Sequence, residues 1–180
     1  MHFSVRPMQS ADLPKYTAYW KNASPAFLRG MGADPTKMND IDARMSRMET
    51  WIAMSIEQTD NYYLTWLIDG QACGHTNVNH LVFGESGTMH LHLWQTQKRL
   101  RGAGTALLKL SIPIFFEKLQ LQSLYCEPYA FNPAPNATLP KVGFEFQKTY
   151  RCTPGSINFE QEVNQYLLTR ERFERLYLGQ

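Results

Sequence analysis

Apolar and polar positions change their period several times along this chain, and each change marks an element. Phe3, Val5 and Met8 predict an opening strand that ends at Pro7-Met8. Ser10, Ala11 and Asp12 then begin a helix, with Ser10 in the N-cap position and Pro14 in the first turn. Tyr16, Tyr19 and Trp20 follow at helical spacing. Residues 24–39 carry Pro25, Gly30, Gly32 and Pro35 and predict a surface loop. From Asp40 a second helix is predicted, because Ile41, Met45, Met48, Ile52 and Ile56 recur at intervals of four, three, four and four residues. That stripe reads as a core face. Residues 62–68 are rich in β-formers, Asp69-Gly70 is a two-residue hairpin signal, and residues 72–81 return. Gly84-Glu85-Ser86-Gly87 turns the chain into a third meander strand over 88–94. An apolar helix is predicted over 105–119, with Pro113 kinking it or removing one backbone bond. A strand over 123–129, a short helix over 135–141, strands over 144–150 and 163–169 and a charged helical tail over 170–175 complete the chain.

The order β-α-α-β-β-β-α-β-α-β-β places a hairpin meander ahead of one right-handed crossover. That predicts a mixed α/β sheet. No repeat, low-complexity stretch or domain boundary interrupts it, so residues 1–180 are read as one domain with a sizeable core. Hydrophobic content of 43% and charged content of 19% describe an ordinary globular protein, and aromatics at 13% suit a large core or a substrate cleft. A net charge of +2 does not advertise a nucleic-acid partner. No apolar run reaches membrane-spanning length, and Met1-His2-Phe3-Ser4-Val5-Arg6 lacks the apolar segment of a signal peptide. Cys73, Cys126 and Cys152 show neither zinc spacing nor a disulfide framework. The expectation is a cytoplasmic, reducing setting with neither a metal nor a membrane partner, the cysteines being reduced and partly buried.

The run Arg99-Leu100-Arg101-Gly102-Ala103-Gly104 stands between the third meander strand and the apolar helix. Glycines let a backbone approach a ligand closely, and the first N–H groups of a helix have no partner of their own. The helix dipole adds partial positive charge there, which suits phosphates. Lys98, Arg99 and Arg101 add attraction for an anionic cofactor. No P-loop lysine–hydroxyl pair follows, and Leu107 breaks the dinucleotide spacing Gly-x-Gly-x-x-Gly. A plain tight turn uses the same glycines. A nucleotide site would also use them, although no acidic magnesium pair stands near the loop.

A second stretch narrows this reading. Asn132-Pro133-Ala134-Pro135-Asn136 is followed by Leu139-Pro140-Lys141-Val142-Gly143-Phe144. In this order the two stretches resemble the GNAT superfamily of acyl-CoA N-acyltransferases. The first resembles that family's Arg/Gln-x-x-Gly-x-Gly/Ala diphosphate loop and the second its Asn…Lys-x-Gly-Phe ending. The motif resemblance covers about residues 88–150 and is nearest to the branch that includes ribosomal-protein N-terminal acetyltransferases. It implies an α/β (α+β) fold: a mixed, mostly antiparallel seven-stranded sheet, splayed between the fourth and fifth strands and flanked by helices. It implies acetyl-CoA (coenzyme A) as co-substrate and a primary amine as acceptor, on a peptide N-terminus or a small molecule, in a monomer or homodimer. It places Arg99, Leu100, Arg101, Gly102, Ala103, Gly104 and Thr105 at the diphosphate. It also puts a backbone N–H near Trp94 on the thioester carbonyl and Asn132 against the pantetheine.

The amine must lose a proton, and His92 leads for that role. It lies two residues before Trp94, on the same strand face, and imidazole ordinarily titrates near neutrality. His90 is one step further out on that face, and Glu127 is the second choice. For each, ordinary packing or solvation remains the alternative. Where many relatives carry an acidic Tyr, this chain has Leu139. Tyr125, Tyr129 or water would replace it, or no acid is needed. That departure keeps a non-catalytic CoA-binding domain open as the alternative function. Trp20, Phe27 and Trp51 could line the acceptor cleft or simply pack the core.

Overall fold

The computed structural model describes residues 1–38, 41–94 and 102–179, apart from the side chain of Asp42. Seven strands form one sheet: β1 (Phe3–Pro7), β2 (Asn61–Ile68), β3 (Gln71–Val82), β4 (Ser86–Leu93), β5 (Ser123–Cys126), β6 (Glu145–Cys152) and β7 (Gln161–Thr169). Their order is β1-β2-β3-β4-β5-β7-β6. Only β4 and β5 are parallel, and the other neighbours are antiparallel. The β2–β3 turn follows the sequence signal. Asp69 and Gly70 both take left-handed φ, 49° and 75°, as a two-residue hairpin matching the strand twist requires.

Alternation along the strands divides the core in two. Leu64, Trp66, Val78 and Met89 meet Leu107, Leu108, Ile112, Phe115 and Phe116 of α4 (Ala103–Lys118) on one face. The opposite face is covered by α1 (Leu13–Lys21), α2 (Pro25–Gly30) and α3 (Ile41–Ala53), whose core includes Leu13, Tyr16, Trp20, Leu28 and Met48. α5 (Pro133–Thr138) follows β5, and α6 (Arg170–Phe173) ends on buried Phe173.

Several boundaries differ from the sequence pattern for local reasons. Gln9, not Ser10, leads into the first turn, which is 3-10 over Ser10–Asp12, and α1 begins at Leu13. Asp12 is needed elsewhere. It accepts Arg6 Nη1 and Nη2 at 2.7 and 2.8 Å, the Gln9 N–H at 3.0 Å and the Thr65 hydroxyl at 2.8 Å. Burial pushes this carboxyl up, but those donors outweigh it and hold it below its ordinary value. The predicted loop over 24–39 contains α2. Its Pro25 fits a first helical turn, and the Ser24 hydroxyl accepts the Phe27 N–H at 3.2 Å. α4 runs through Pro113 without interruption. Ile56 lies beyond α3 and packs with the α4 core instead.

One buried polar contact ties the meander to α4. Trp66 Nε1 donates to Ser111 Oγ at 2.8 Å, and Ser111 donates on to Leu107 O at 2.8 Å. Ser111→Ala strands the indole N–H in a dry interior, so it should destabilise the fold by about 1–3 kcal/mol. Urea unfolding measures this, and an unchanged midpoint would contradict it.

Candidate functional site

β4 and β5 pair over only three positions, Ser86 with Ser123, Gly87 with Leu124 and Thr88 with Tyr125. The strand predicted over 123–129 stops at Cys126 because the chain leaves β4 there and stays with β7. Pro128 has no N–H to offer a neighbour. Its carbonyl accepts the Asn164 N–H at 3.0 Å, and the Ala130 N–H donates to Glu162 O at 2.9 Å. Glu127 is drawn the same way, with its Oε1 accepting from Tyr150 Oη at 2.8 Å and Gln165 Nε2 at 2.6 Å.

Among the described residues, β4 beyond Thr88 is paired on its β3 side only, with His90 opposite Asn77 and His92 opposite His75. Its direction of bonding is fixed by Trp94, whose N–H donates to Cys73 O at 2.8 Å. Strand alternation therefore turns the backbone groups of Leu91 and Leu93 toward the splayed side. Trp94's own N–H is thus spent and its indole N–H donates to His75 Nδ1 at 2.8 Å, so the backbone N–H near Trp94 that faces the splayed side is that of Leu93.

A cavity of about 540 Å³ lies along this edge. Leu91, His92 and Leu93 line one side, Gly102, Gly104 and Thr105 another, and Asn132 the end near α5. Gly102 caps α4 with φ 90°, so the backbone itself requires glycine there. Gly104 has ordinary helical φ, and among the described residues a Cβ on it would meet only Leu93 Cδ1 at 4.0 Å. Ala106 is bonded back to Gly102 O at 3.0 Å, which leaves the N–H groups of Ala103, Gly104 and Thr105 without helical acceptors. These donors and the positive end of a 16-residue helix suit a diphosphate. Arg99, Leu100 and Arg101 lie outside the described residues.

Asn132 is the N-cap residue of α5, and its side chain makes no capping bond. Asn136 holds the turn instead, donating to Asn132 O at 2.7 Å and accepting from Asn164 Nδ2 at 2.8 Å. Leu139 is fully buried, so the position where many relatives carry a Tyr packs into the core here. Gly143 takes φ 99°, with Leu176 Cδ1 only 2.7 Å from where a Cβ would stand.

The structure gathers His92, Gly102, Gly104, Thr105 and Asn132 around the one cavity. Ala103 is buried behind the turn. Glu127 lies in an adjoining cavity of about 130 Å³, which it shares with His90, His92, Tyr129 and Asn132. The sequence did not single out His75, which lies opposite His92 with the two rings stacked at 4.8 Å. His92 Nδ1 is 3.2 Å from Tyr19 Oη, and its ring lies 5.0 Å from Trp20. His90 Nε2 is 3.0 Å from Asn79 Oδ1. The three rings share the face covered by α1 and α3, away from α4.

Burial lowers all three histidines and Arg44 adds to it in each; His92 and His90 also lower His75, His90 lowers His92, and His80 lowers His90 against the opposing field of Glu127. His92 falls to about 3, His90 to about 4 and His75 well below its ordinary value. The near-neutral titration expected of His92 therefore does not survive folding: the packed surroundings penalise the charged ring and positive charge already stands nearby.

A family model described as an acetyltransferase (GNAT) domain matches residues 2–145. No curated protein matches the sequence. Among solved structures, the chain is similar to the aminoglycoside acetyltransferase AAC(6')-Ib in complex with coenzyme A. That likeness has 17% identity and a TM-score of 0.74, covering 97% of this chain and 99% of that one. It is similar to RimL, a ribosomal alpha-N-protein acetyltransferase in complex with coenzyme A, at 12% identity and a TM-score of 0.75, covering 93% of each chain. It is also similar to spermidine N-acetyltransferase from Vibrio cholerae in complex with CoA and spermine, at 13% identity and a TM-score of 0.76, covering 95% of this chain and 97% of that one. No helix among the described residues is long and apolar enough to cross a membrane.

The lowered histidines set a pH dependence of stability. Their folded values lie below 6.5, so the unfolded chain binds more protons as the pH falls beneath that point. Their contribution is complete above about pH 6.5 and is lost as pH falls toward 4 and 3. The melting temperature is expected to be lower at about pH 5 than at about pH 7.5, with His92→Gln weakening the difference. Equal melting temperatures would show that the rings are more hydrated than the structure has them.

Proposed function

We propose that this chain, which belongs to the GNAT acetyltransferase family, transfers an acetyl (acyl) group from acetyl-CoA to a primary amine. The observation that carries this reading is the free edge of β4 facing the N-terminus of α4 across one cavity. In the same reading the whole chain is one domain, the setting is cytoplasmic, and the protein is a monomer or homodimer. The acceptor is a small molecule or a peptide N-terminus rather than a nucleic acid or membrane.

The groove residues fit the co-substrate by shape and by donor set. The N–H groups of Ala103, Gly104 and Thr105 hold the diphosphate, and among the described residues no side chain crowds Gly102 or Gly104 against it. The backbone of Leu91 and Leu93 offers bonds to the pantetheine as an added strand would, with Asn132 opposite. An oriented donor at the carbonyl oxygen is worth on the order of 10²–10³ in rate. The thioester, when bound, supplies the activated acyl carbon. His92 stands at the junction of this groove with the face below α1 and α3. A ring titrating at about 3 cannot deprotonate an alkylammonium of pKa about 10.4. It can accept the proton that the amine nitrogen sheds as the new bond forms. The amine must then arrive neutral, and the pH profile should follow the acceptor rather than His92.

Turnover of acetyl-CoA against an amine panel, read as free thiol, tests the reading. Acetyl-CoA at a hundredfold its dissociation constant should stabilise the fold by about 2.7 kcal/mol. Gly104→Glu should abolish that stabilisation, while Gly104→Ala keeps the fold. Acetyl-CoA binding without turnover of any amine would favour the non-catalytic alternative left open by Leu139.

His92→Gln is expected to lower kcat by about 10²-fold, with acetyl-CoA affinity little changed. His90→Gln and Glu127→Gln are the comparison. A larger loss at Glu127 would move the proton acceptor to the end of β5.

A further inference from the structure

The histidine face opens into a cavity of about 230 Å³, lined by Tyr63 and His92 of the sheet, Trp20 of α1, and Arg44 and Arg47 of α3. A neighbouring cavity of about 220 Å³ is lined again by Arg44 and Arg47, now with Lys37. Among the described residues no Asp or Glu lines either one. Among the described residues, the carboxylates whose field reaches this face are Asp60, acting on Tyr63, and Glu127, acting on His90. Glu127 is already held by Tyr150 and Gln165. Arg44 is half-buried with its guanidinium 5.8 Å from the centre of the Trp20 ring. No ion pair of Arg44 or Arg47 is found among the described residues. The Trp20 indole N–H is buried, lies near the Tyr16 hydroxyl that Arg44 also reaches, and completes no hydrogen bond there. Among the described residues the cleft thus holds a guanidinium without a carboxylate counter-charge beside an indole N–H that completes no hydrogen bond, and both favour an anion.

Resting on the acetyltransferase reading and deepening it, we infer that the acceptor amine carries an anionic group, a carboxylate or phosphate, that pairs with Arg44 and Arg47 while the amine faces His92. Like-charge repulsion in this cavity works against a polyamine or a polycationic sugar. The field of Arg44 on all three histidines has the same sign.

The test uses matched acceptors that share one amine: an amino acid and its amide, phosphoethanolamine and ethanolamine, with spermidine as the polycation. The anionic member of a pair should have the higher kcat/KM by about tenfold or more, the scale of one charge-assisted hydrogen bond. Arg44→Gln should erase that ratio through KM, and Arg44→Lys should keep part of it. The carboxylate and phosphate arms separate the two sources of charge. Equal turnover within both pairs, or a preference for spermidine, overturns the anion assignment and leaves acetyl transfer standing. If no amine is turned over, acetyl transfer fails and binding decides the anion question. The NMR signal of the Trp20 indole N–H, assigned with Trp20→Phe, should then shift with the anionic members alone, and only with Arg44 present. An unshifted signal overturns the assignment.

Discussion

Everything at the candidate site depends on two parallel strands that pair over three positions and then part. A parallel pair normally runs the length of its strands, because each unmade bond leaves backbone groups without partners. Here β5 is taken from β4 by competing partners. Pro128, Asn164, Ala130 and Glu162 continue its bonding along β7, and Tyr150 and Gln165 fix Glu127 on that side. Among the described residues β4 keeps an unpaired edge at Leu91 and Leu93, bordered by the N-terminal end of α4. The fold thereby makes donors available to a ligand without breaking the sheet, since β3 holds β4 along its other side.

The parted halves are joined again above the cleft. The Asp34 N–H donates to Ile157 O at 2.7 Å, and Asn158 Nδ2 and Gln161 Nε2 both donate to Gly32 O at 2.8 Å. Gly32 is required there, since a Cβ would run into the Gln161 side chain, and its φ of 84° is left-handed. This seam binds the segment after α2 to the loop before β7. The cavity below α3 is thus bounded by residues from both halves of the sheet.

The same cover sets the electrostatics. His75, His90 and His92 lie under α1 and α3 with Arg44 close by, and both desolvation and charge favour the neutral rings. Stacking, the Trp94 indole and the Tyr19 hydroxyl satisfy the rings in that form. A neutral, weakly basic imidazole suits proton acceptance late in amine attack and does not suit titration near neutrality.

The sequence by itself determined the features that arise from a residue and its neighbours in the chain. Hairpin turn Asp69-Gly70, the amphipathic stripe of α3, the glycine cap of α4 and the strand face shared by His90 and His92 all follow from φ preference or from side-chain period. Even Leu139 could be read as a departure at its position. What only the tertiary structure decided involves partners distant in the chain. His75 meets His92 because β3 and β4 pair in a register that shifts between Asn79 and Val82, and no local signal marks that irregularity. Trp94 spends its N–H on Cys73, and β5 ends early because Asn164 and Glu162 capture the chain after Cys126. Arg44 enters the cleft from α3, where the periodic pattern marked only the apolar face. Period and turn chemistry are set within a few residues; hydrogen-bond competition and burial are set by whatever packs alongside.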